Sequence, residues 1–409
     1  MPLVAKALLL FVALYPVVTA ALWMAGGVLF HVLDEEDAAE VPPEGWPGVT
    51  VLIPAYNEER VIATSVHAAL TADYPDLEIL VLDDGSTDQT ASAATAAAAA
   101  DPRCRVIRDE VNRGKADRLN AGFRAARHEL VAVTDADTHM HPQALKRLVA
   151  RMQTSELIAA VAGAPHVTNR ARFSSAMQIL EAASIIGLIR RTQSLTGRVG
   201  TVAGVLGLFH RERVLAVGGY DSRMATEDIE LTWKLLLAGW QTAYEPHALV
   251  GMQVPVTLKA LWAQRKRWAR GQGEVLRTHL GEVARWHNHR MWLLAAESVA
   301  SFVWVLGLVA GLLIALLAVA ITGHELFGFG LAWGIAIAVL ATMQATVALW
   351  IETDYDPRGW RAYLIEPVYP IVFWIVSAGA ALRSQTAGLA RGPREQRVVW
   401  DIPREKIDA

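Results

Sequence analysis

Long apolar stretches constrain what this chain can fold into more than any other feature of its sequence. Residues 7–33 contain no Asp, Glu, Lys or Arg and are long enough to cross a hydrocarbon core of ~30 Å. Residues 291–322 and 326–351 are two further apolar segments. Only Gly323, His324 and Glu325 separate these two, so we expect an antiparallel hairpin. With 53% hydrophobic residues among 409, the composition fits a soluble domain joined to membrane spans.

The first apolar segment has an alternative interpretation as a cleaved signal peptide. Lys6 would be its charged end, and Val18-Thr19-Ala20 would be the cleavage site. The apolar residues continue well beyond Ala20, however. This length favours a retained membrane anchor.

Basic residues orient the predicted spans, because positive charge marks the cytosolic side of a membrane. A cluster precedes the second span and consists of Lys259, Arg265, Lys266, Arg267, Arg270, Arg277, Arg285 and Arg290. The central domain is therefore predicted to be cytosolic, although Lys6 argues the other way for the first helix. The predicted segments are a transmembrane helix at 1–34, a cytosolic domain at 35–257, amphipathic interface helices at 258–290, a transmembrane hairpin at 291–351, a third C-terminal membrane segment at 352–390 and a basic tail at 391–409.

The last apolar stretch, residues 363–382, is interrupted by Glu366, Pro367 and Pro370. Proline breaks helical hydrogen bonding, so this stretch either crosses the membrane or enters and returns as a broken helix. A full crossing would place the basic tail on the opposite side from the central domain. The arginines of the tail favour the re-entrant form, which keeps the tail inside.

Strands and helices alternate in the central domain. Residues 49–54, 77–82, 105–107 and 130–133 are short apolar or β-branched runs, and each precedes a helical stretch. This pattern predicts an α/β domain with a parallel sheet covered by helices. Ligands of such sheets bind at the carboxyl ends of the strands. A single cysteine, Cys104, excludes an intramolecular disulfide framework.

Three candidate nucleotide-binding elements follow predicted strands. The loop with Ala55, Tyr56 and Glu58 could hold a nucleoside, with Tyr56 beside the base and Glu58 near the ribose; the alternative is a capped helix start. Asp84 before Gly85 could accept hydrogen bonds from base or ribose, although an Asp-Gly turn alone is the commoner case. Lys115 could contact base or phosphate, although most lysines are simply exposed.

Asp135 and Asp137 follow the apolar strand at 130–133. Two carboxylates one residue apart can face the same cation only if the backbone leaves the alternation of the strand there. Their hard oxygen ligands suit Mg²⁺ or Mn²⁺, which would bridge a diphosphate and neutralise the leaving group. The alternative is a pair of solvated aspartates in a turn.

Thr226-Glu227-Asp228 precedes an apolar helical pattern, so both carboxylates lie at a helix N-terminus, where they could also be simple caps. The functional interpretation assigns Glu227 and Asp228 to catalysis. Asp228 would be the base that takes a proton from an acceptor hydroxyl as it attacks an anomeric carbon. One displacement of this kind inverts that carbon, so an α-linked nucleotide sugar gives a β linkage.

Gln264, Arg267 and Trp268 are three and four residues apart and therefore share one helical face. Arg267 could clamp a diphosphate, and the indole of Trp268 could stack on a sugar. The alternative is an amphipathic helix whose basic residues face lipid headgroups. That alternative is the interpretation favoured for Arg265 and Lys266.

Taken in order, these motifs resemble processive family 2 glycosyltransferases of the cellulose, chitin and hyaluronan synthase type. Within that family the chain is most similar to the bacterial poly-β-1,6-N-acetylglucosamine synthases, and the resemblance extends from about residue 21 to the end. Longer stretches carry the narrower likeness; they are residues 181–193, 201–204, 258–262 and 369–374. Two departures are a single N-terminal span, where some relatives have two, and the polar Ala116-Asp117-Arg118 after Lys115.

The resemblance implies a GT-A-like, Rossmann-like cytosolic domain with transmembrane helices at both ends. It implies a hexosyltransferase of the bacterial inner membrane that uses UDP-N-acetylglucosamine with Mg²⁺ or Mn²⁺. A β-1,6-linked exopolysaccharide of the biofilm type would leave through a channel lined by the spans. The donor would contact Ala55, Tyr56, Glu58, Asp84, Lys115, Asp135, Gln264 and Arg267, and the acceptor would contact Trp268. The implied partners are membrane lipid, the growing polysaccharide and a small membrane accessory subunit, with no nucleic acid.

Two other functions are open at this point, as is a different β-linked polymer of the hyaluronan, chitin or cellulose kind. A transferase that moves one sugar to a lipid carrier would share the donor site but needs no tryptophan that stacks on sugar. A transporter or scaffold with a degenerate transferase domain would not need intact acidic motifs. Trp268 beside three membrane segments favours the polymer synthase.

Overall fold

The computed structural model describes residues 3–35, 45–322 and 327–399. Its strands are β1 Val49–Ala55, β2 Leu77–Asp84, β3 Cys104–Asp109, β4 Leu130–Thr134, β5 His139–Met140, β6 Ile158–Val167, β7 Leu206–His210 and β8 Gln241–Met252. Its α-helices are α1 Leu3–Leu33, α2 Ile62–Leu70, α3 Thr90–Ala98, α4 Lys115–Ala125, α5 Ala144–Gln153, α6 Phe173–Glu181, α7 Leu188–Ser194, α8 Arg211–Ala216, α9 Glu227–Leu237, α10 Leu258–Val283, α11 Trp292–Thr322, α12 Phe327–Ile351, α13 Tyr369–Ala380 and α14 Thr386–Arg391.

Shorter helical turns link several of these helices. π-helical turns occupy Ala182–Gly187, between α6 and α7, and Ala381–Gln385, between α13 and α14. 3-10 helices occupy Trp286–Met291, Glu352–Asp354 and Pro357–Ile365. The predicted loop at 323–325 lies outside the described residues.

The domain contains an eight-stranded sheet in the order β3-β2-β1-β4-β7-β6-β8-β5. β3, β2, β1 and β4 are parallel, as the sequence predicts. The sheet as a whole is mixed rather than parallel, because β7 runs antiparallel to both β4 and β6, and β5 runs antiparallel to β8. Since β4 and β6 are both antiparallel to β7, the carboxyl end of β6 lies at the same edge as those of β1 and β4. β8 runs parallel to β6.

Alternating side chains of the central strands build a core on each face of the sheet. On one face, Val51 and Ile53 of β1 pack with residues of α2 and α5 such as Val66 and Leu148. On the other face, Leu52 packs with Phe123 of α4 and its neighbours. These two cores fix the strand ends, where the loops of the site begin.

Helices long and apolar enough to cross a membrane flank the domain. Three such helices are found among the described residues, at Lys6–Leu33, Trp286–Ile321 and Ala332–Asp354. A bent pair, Pro357–Ile365 and Tyr369–Arg391, turns by 82° at its break, where the sequence has Glu366 and Pro367. The predicted interruption of the last apolar stretch is therefore a sharp bend.

Both ends of this bent pair contact the domain. Asp356, directly before it, forms an ion pair with Arg170 at 2.5 Å. After it, the backbone N–H of Val398 donates to the carbonyl of Ser222 at 2.7 Å, and Arg397 lies 3.0 Å from Asp117. Arg397 of the predicted basic tail therefore pairs with the domain.

Candidate active site

The predicted motifs meet at one edge of the sheet. β1 and β2 are parallel neighbours whose register pairs Ala55 with Asp83. Asp84 ends β2, Asp135 follows the last residue of β4, and Glu227 begins α9. The carboxyl ends of parallel strands are the usual ligand-binding edge of an α/β sheet. The acidic residues of the sequence motifs therefore lie where a ligand would bind.

The charged side chains of Lys115, Asp135 and Glu227 lie close together, and we call them the active-site cluster. The Lys115 Nζ atom lies 2.5 Å from Asp135 Oδ1 and 3.9 Å from Glu227 Oε1. Gly204 leaves room for it, since a Cβ atom there would lie 2.8 Å from Lys115 Nζ. The alternative of an ordinary exposed lysine is thus wrong, because Lys115 joins two motifs that are distant in the sequence.

Burial and charge act against each other in this cluster. Burial lowers the pKa of Lys115, but the negative charges of Asp135, Glu227 and Asp228 outweigh it and leave that pKa above its usual value. Burial raises the pKa of Glu227, and the ammonium of Lys115 opposes the rise. Lys115 is therefore a fixed positive charge at neutral pH.

The segment from Asp135 to Asp137 leaves the strand geometry, as the metal interpretation requires. β4 ends at Thr134, and the Thr138 hydroxyl donates to the carbonyl of Asp135 at 2.7 Å. The Ser65 hydroxyl donates to the carbonyl of Ala136 at 2.6 Å and fixes the turn from α2. The turn buries Ala136 and leaves the side chains on both sides of it partly exposed.

The donor set of this turn fits a hard divalent cation bound together with a ligand. Asp135 and Asp137 supply carboxylate oxygens, which Mg²⁺ and Mn²⁺ prefer. Within residues 3–35, 45–322 and 327–399, no group of three or more His, Cys, Asp or Glu side chains is arranged to hold a metal ion. A metal here would therefore take its remaining ligands from a substrate such as a diphosphate, or from water.

Asp84 shapes the loop after β3. Its buried carboxylate accepts the backbone N–H groups of Arg113 at 2.9 Å and Gly114 at 2.7 Å. Burial raises the pKa of Asp84, and the two N–H groups oppose the rise. Gly85 has a φ of +73°, and a Cβ atom there would lie 2.8 Å from the backbone of Val111. Asp84 thereby holds the loop that precedes Lys115, and its contact with a nucleoside stays a prediction.

The loop after β1 is tied to the loop after β2. The backbone N–H of Glu58, a buried residue, donates to Thr90 Oγ1 at 2.7 Å, and Asn57 Oδ1 accepts the backbone N–H of Thr87 at 2.9 Å. Tyr56 between Ala55 and Asn57 is half-buried. The two loops form one wall beside the strand ends, as a nucleoside site needs, and the roles of Ala55, Tyr56 and Glu58 stay predictions.

Asp228 lies at the N-terminus of α9, half-buried beside the active-site cluster. Two residues that the sequence analysis did not select lie within reach of the Asp228 charge. Burial lowers the pKa of Arg190, and the negative charge of Asp228 opposes this fall. Burial raises the pKa of Tyr220 far above its usual value, and the charges of Glu227, Asp228 and Asp135 add to the rise, so its hydroxyl stays protonated.

Tyr220 follows Gly218 and Gly219, which both have positive φ angles. A glycine pair directly before an aromatic residue was the signal in the sequence for this turn. Arg190 carried no such signal, because the Arg190-Arg191 pair after an apolar helical stretch gives no indication that it is buried.

Helix α10 contains Gln264, Arg267 and Trp268 and packs against α9, which begins at Glu227. The charge of exposed Arg267 acts on Glu227. Gln264 Oε1 is buried, and none of the described residues donates a hydrogen bond to it. Arg267 and Glu227 are therefore close enough to interact, and the donor and acceptor roles of Gln264, Arg267 and Trp268 stay predictions.

Two contacts hold α10 to the segment before α9. The backbone N–H of Ala225 donates to the fully buried Glu274 at 2.8 Å. Gly271 lets the backbones approach, since a Cβ atom there would lie 1.9 Å from Thr226 Oγ1. The position of α10 is thereby fixed relative to Asp228.

The prediction that Arg265 faces lipid headgroups is wrong. Arg265 is buried, and its Nη2 atom lies 2.6 Å from Glu181 Oε2. It therefore faces the protein rather than lipid headgroups. Lys266 is half-buried, with its Nζ atom 5.9 Å from the centre of the Trp262 ring. Helical spacing predicted which residues share a face but not which face packs against the domain.

Comparison with known proteins identifies the family of this chain. Residues 47–271 match the family described as "Glycosyltransferase like family 2". The poly-beta-1,6-N-acetyl-D-glucosamine synthase of Staphylococcus epidermidis is 30% identical over 390 residues, which cover 93% of this chain and 94% of that one. The synthase of the same name from Staphylococcus aureus (strain COL) is 31% identical over 390 residues, with the same coverage.

A solved structure has the same fold. The mannosyltransferase PcManGT from Pyrobaculum calidifontis, determined in complex with GDP-Man and Mn²⁺, superposes with a TM-score of 0.67 at 22% sequence identity. The superposition covers 93% of this chain and 99% of that one. The predicted GT-A-like fold with flanking membrane helices is confirmed.

Proposed function

The chain belongs to glycosyltransferase family 2, and we propose that it polymerises N-acetylglucosamine from UDP-N-acetylglucosamine into a β-1,6-linked exopolysaccharide. The relatives are named poly-beta-1,6-N-acetyl-D-glucosamine synthases, and this name supports N-acetylglucosamine as the sugar and β-1,6 as the linkage. The observation that carries the proposal is the position of α10. This helix packs against α9, its Arg267 acts electrostatically on Glu227, and it leads through Trp286–Met291 into α11. A growing chain would therefore leave the site next to membrane helices.

Asp228 is the proposed general base. One of its carboxylate oxygens takes the proton of the acceptor 6-hydroxyl while that hydroxyl oxygen bonds to the anomeric carbon and the bond to UDP breaks. The single displacement inverts the anomeric carbon, so an α-linked donor gives a β linkage. Buried Arg190 lies within electrostatic reach of Asp228.

The proposed donor site combines fixed charges with the two loops at the strand ends. Lys115 and Arg267 offer positive charge to the diphosphate, and the loops at Tyr56 and Asp84 hold the nucleoside. Asp137 and Asp135 would hold a divalent cation, Mg²⁺ or Mn²⁺, which supplies charge that stabilises the leaving diphosphate. Glu227 is a second carboxylate beside Lys115, 3.9 Å from the ammonium that pairs with Asp135.

We further propose an inner-membrane protein whose catalytic domain and tail both face the cytosol. Arg170 pairs with Asp356 before the bent helix pair, and Ser222 binds Val398 after it. A segment that starts and ends at the domain enters the membrane face and returns. This supports the re-entrant form of Pro357–Ile365 and Tyr369–Arg391 and three crossings in total. A small membrane accessory subunit stays a prediction of the family resemblance.

The test is product analysis with purified protein in detergent. Parallel reactions receive UDP-N-acetylglucosamine, UDP-glucose or UDP-glucuronic acid with Mn²⁺, and products are sized on a gel and treated with a β-1,6-specific N-acetylglucosaminidase. We expect polymer from UDP-N-acetylglucosamine alone, degraded by that enzyme. A product of one sugar on an extractable lipid would instead identify the lipid-carrier transferase. Polymer resistant to the hydrolase would contradict the linkage.

A further inference from the structure

A buried ion pair lies directly against Trp268. The Arg265 Nη2 atom lies 2.6 Å from Glu181 Oε2, and both side chains are about nine-tenths buried. The guanidinium carbon of Arg265 lies 4.4 Å from the centre of the Trp268 ring. Arg265 and Trp268 are three residues apart on α10, so their side chains are neighbours on the helix. The guanidinium therefore covers one face of the indole, and a sugar can stack only on the opposite face.

Burying this ion pair costs more desolvation free energy than burying a neutral pair of the same size. A buried ion pair loses the hydration of both charges, and an apolar pair of similar volume is often as stable or more stable. Packing alone thus does not account for a charged pair here. The planar guanidinium offers what an apolar side chain does not, which is a charge fixed in direction by Glu181 and attracted to the face of an aromatic ring.

Glu181 is itself fixed from the membrane side. It ends α6 and is followed by the π-helical turn Ala182–Gly187. The carbonyl of Ser184 in this turn accepts a hydrogen bond from Gln344 Nε2 of α12 at 2.6 Å. The turn after Glu181 is therefore bonded to a membrane helix, and Glu181 itself pairs with Arg265, which lies over Trp268.

We propose that Glu181 and Arg265 are positioning residues that fix the ring of Trp268 and thereby set the binding of the acceptor sugar. This inference rests on the proposed function, in which Trp268 contacts the acceptor. Neither residue touches the donor, and neither belongs to the active-site cluster. Their loss should change the use of the acceptor and leave the binding of the donor unchanged.

The test replaces both charges at once, because a single substitution would leave one buried charge unpaired and could unfold the protein. Glu181→Met with Arg265→Met keeps the volume and removes the guanidinium from the ring. Short β-1,6-linked N-acetylglucosamine oligomers serve as added acceptors, and the KM for the oligomer and for UDP-N-acetylglucosamine are both measured. We expect the acceptor KM to rise about two- to thirtyfold, the range for loss of one cation–π contact, at an unchanged donor KM.

Two further variants show whether the pair acts through Trp268. Lys266→Met removes a cation from the same helix that faces Trp262 instead, and we expect a wild-type acceptor KM. Adding the two methionines to Trp268→Ala should raise the acceptor KM no further than Trp268→Ala alone, because residues that act through one contact are not additive.

The outcomes separate this inference from the proposed function. If Trp268→Ala raises the acceptor KM and the methionine pair does not, the ion pair is structural and the inference is wrong. Effects that add to those of Trp268→Ala would also overturn it. If Trp268→Ala itself leaves the acceptor KM unchanged, the acceptor role of Trp268 fails and the inference fails with it.

Discussion

Two clusters of paired charges in this protein differ in how far they open to water. In the active-site cluster, Lys115 bridges Asp135 and Glu227, and the Asp135 side chain is 25% exposed. In the second cluster, which we call the junction cluster, Arg191 bridges Glu35 and Glu352, and the side chains of Arg191 and Glu35 are each 1% exposed.

The junction cluster also joins residues of several structural elements. Glu35 follows α1, Glu352 follows α12, and Arg191 belongs to α7, so the cluster joins two membrane helices to the domain. Tyr355 donates to Glu35 at 2.5 Å, and His31 lies 2.7 Å from its other oxygen. The junction cluster therefore holds structural elements together, whereas the active-site cluster keeps side chains accessible to a ligand. The variants below test this difference between the two clusters.

The largest expected effect follows from Asp228→Asn. The amide keeps the shape of the side chain but cannot take a proton, so the transfer rate should fall by about two to four orders of magnitude. UDP affinity, measured by calorimetry, should stay within a few-fold of wild type. The matched control is Glu212→Gln, which removes a carboxylate from the first turn of α8, away from the site. Near wild-type synthesis by Asp228→Asn would show that Asp228 is only a helix cap.

Arg191→Met should destabilise the protein by about 3–5 kcal/mol, because it leaves two buried carboxylates without their cation. Lys115→Met should cost less stability, since Asp135 reaches water, but it should weaken UDP binding. Thermal unfolding in detergent and UDP titration measure the two effects side by side. Equal losses of stability in the two variants would remove the distinction between the clusters.

Asp137→Ala should abolish the dependence of UDP binding on metal. Wild-type protein is titrated with UDP at fixed Mn²⁺ and then with a chelator, and the affinity should fall by about tenfold or more without metal, as one direct charge contact to a diphosphate allows. The variant should give the weaker affinity in both conditions. If wild-type affinity does not respond to metal, Asp135 and Asp137 are turn residues and not ligands.

Glu35 should make stability sensitive to acid. Burial raises the pKa of Glu35, but Arg191, Tyr355 and His31 outweigh it and hold that pKa below its ordinary value of about 4.3. Its contribution to stability is therefore complete above about pH 4.3 and is lost as the pH falls toward the lower, folded-state value.

The comparison that isolates this small effect is between wild type, Tyr355→Phe and Glu35→Gln. Melting temperatures are recorded from pH 7 downward in one detergent. Wild type should lose the most stability below about pH 4.3, Tyr355→Phe less, and Glu35→Gln the least. Parallel curves for the three proteins would mean that Glu35 has the same pKa in the folded and unfolded states.

Much of the donor side of the fold could be predicted from the sequence. β1 to β4 are apolar or β-branched runs with a helical pattern after each, and their carboxyl ends carry the acidic motifs. β6 escaped prediction because residues 159–164 are all alanine or glycine apart from Val161, and alanine and glycine are depleted in strands. The antiparallel β7 escaped it as well, since pairing between distant segments leaves no local signal.

Residues whose role depends on distant neighbours were the least predictable part of the site. Lys115 precedes Glu227 by over a hundred positions, and the packing of α4 against β1 and β2 helps to bring it to the site. Arg265 stands within a basic motif, and its spacing fits a lipid-facing side chain as well as a buried one. Partner residues such as Glu181 and Arg190 could be identified only from the folded structure.

A pulse–chase experiment tests processive synthesis most directly. Purified protein in lipid nanodiscs extends chains briefly from radiolabelled UDP-N-acetylglucosamine, and a large excess of the unlabelled donor follows. Processive synthesis predicts that the label moves into steadily longer polymer during the chase, because each chain stays bound while it grows. Label that stays in short products or on a lipid while new unlabelled chains form would contradict the proposed synthase.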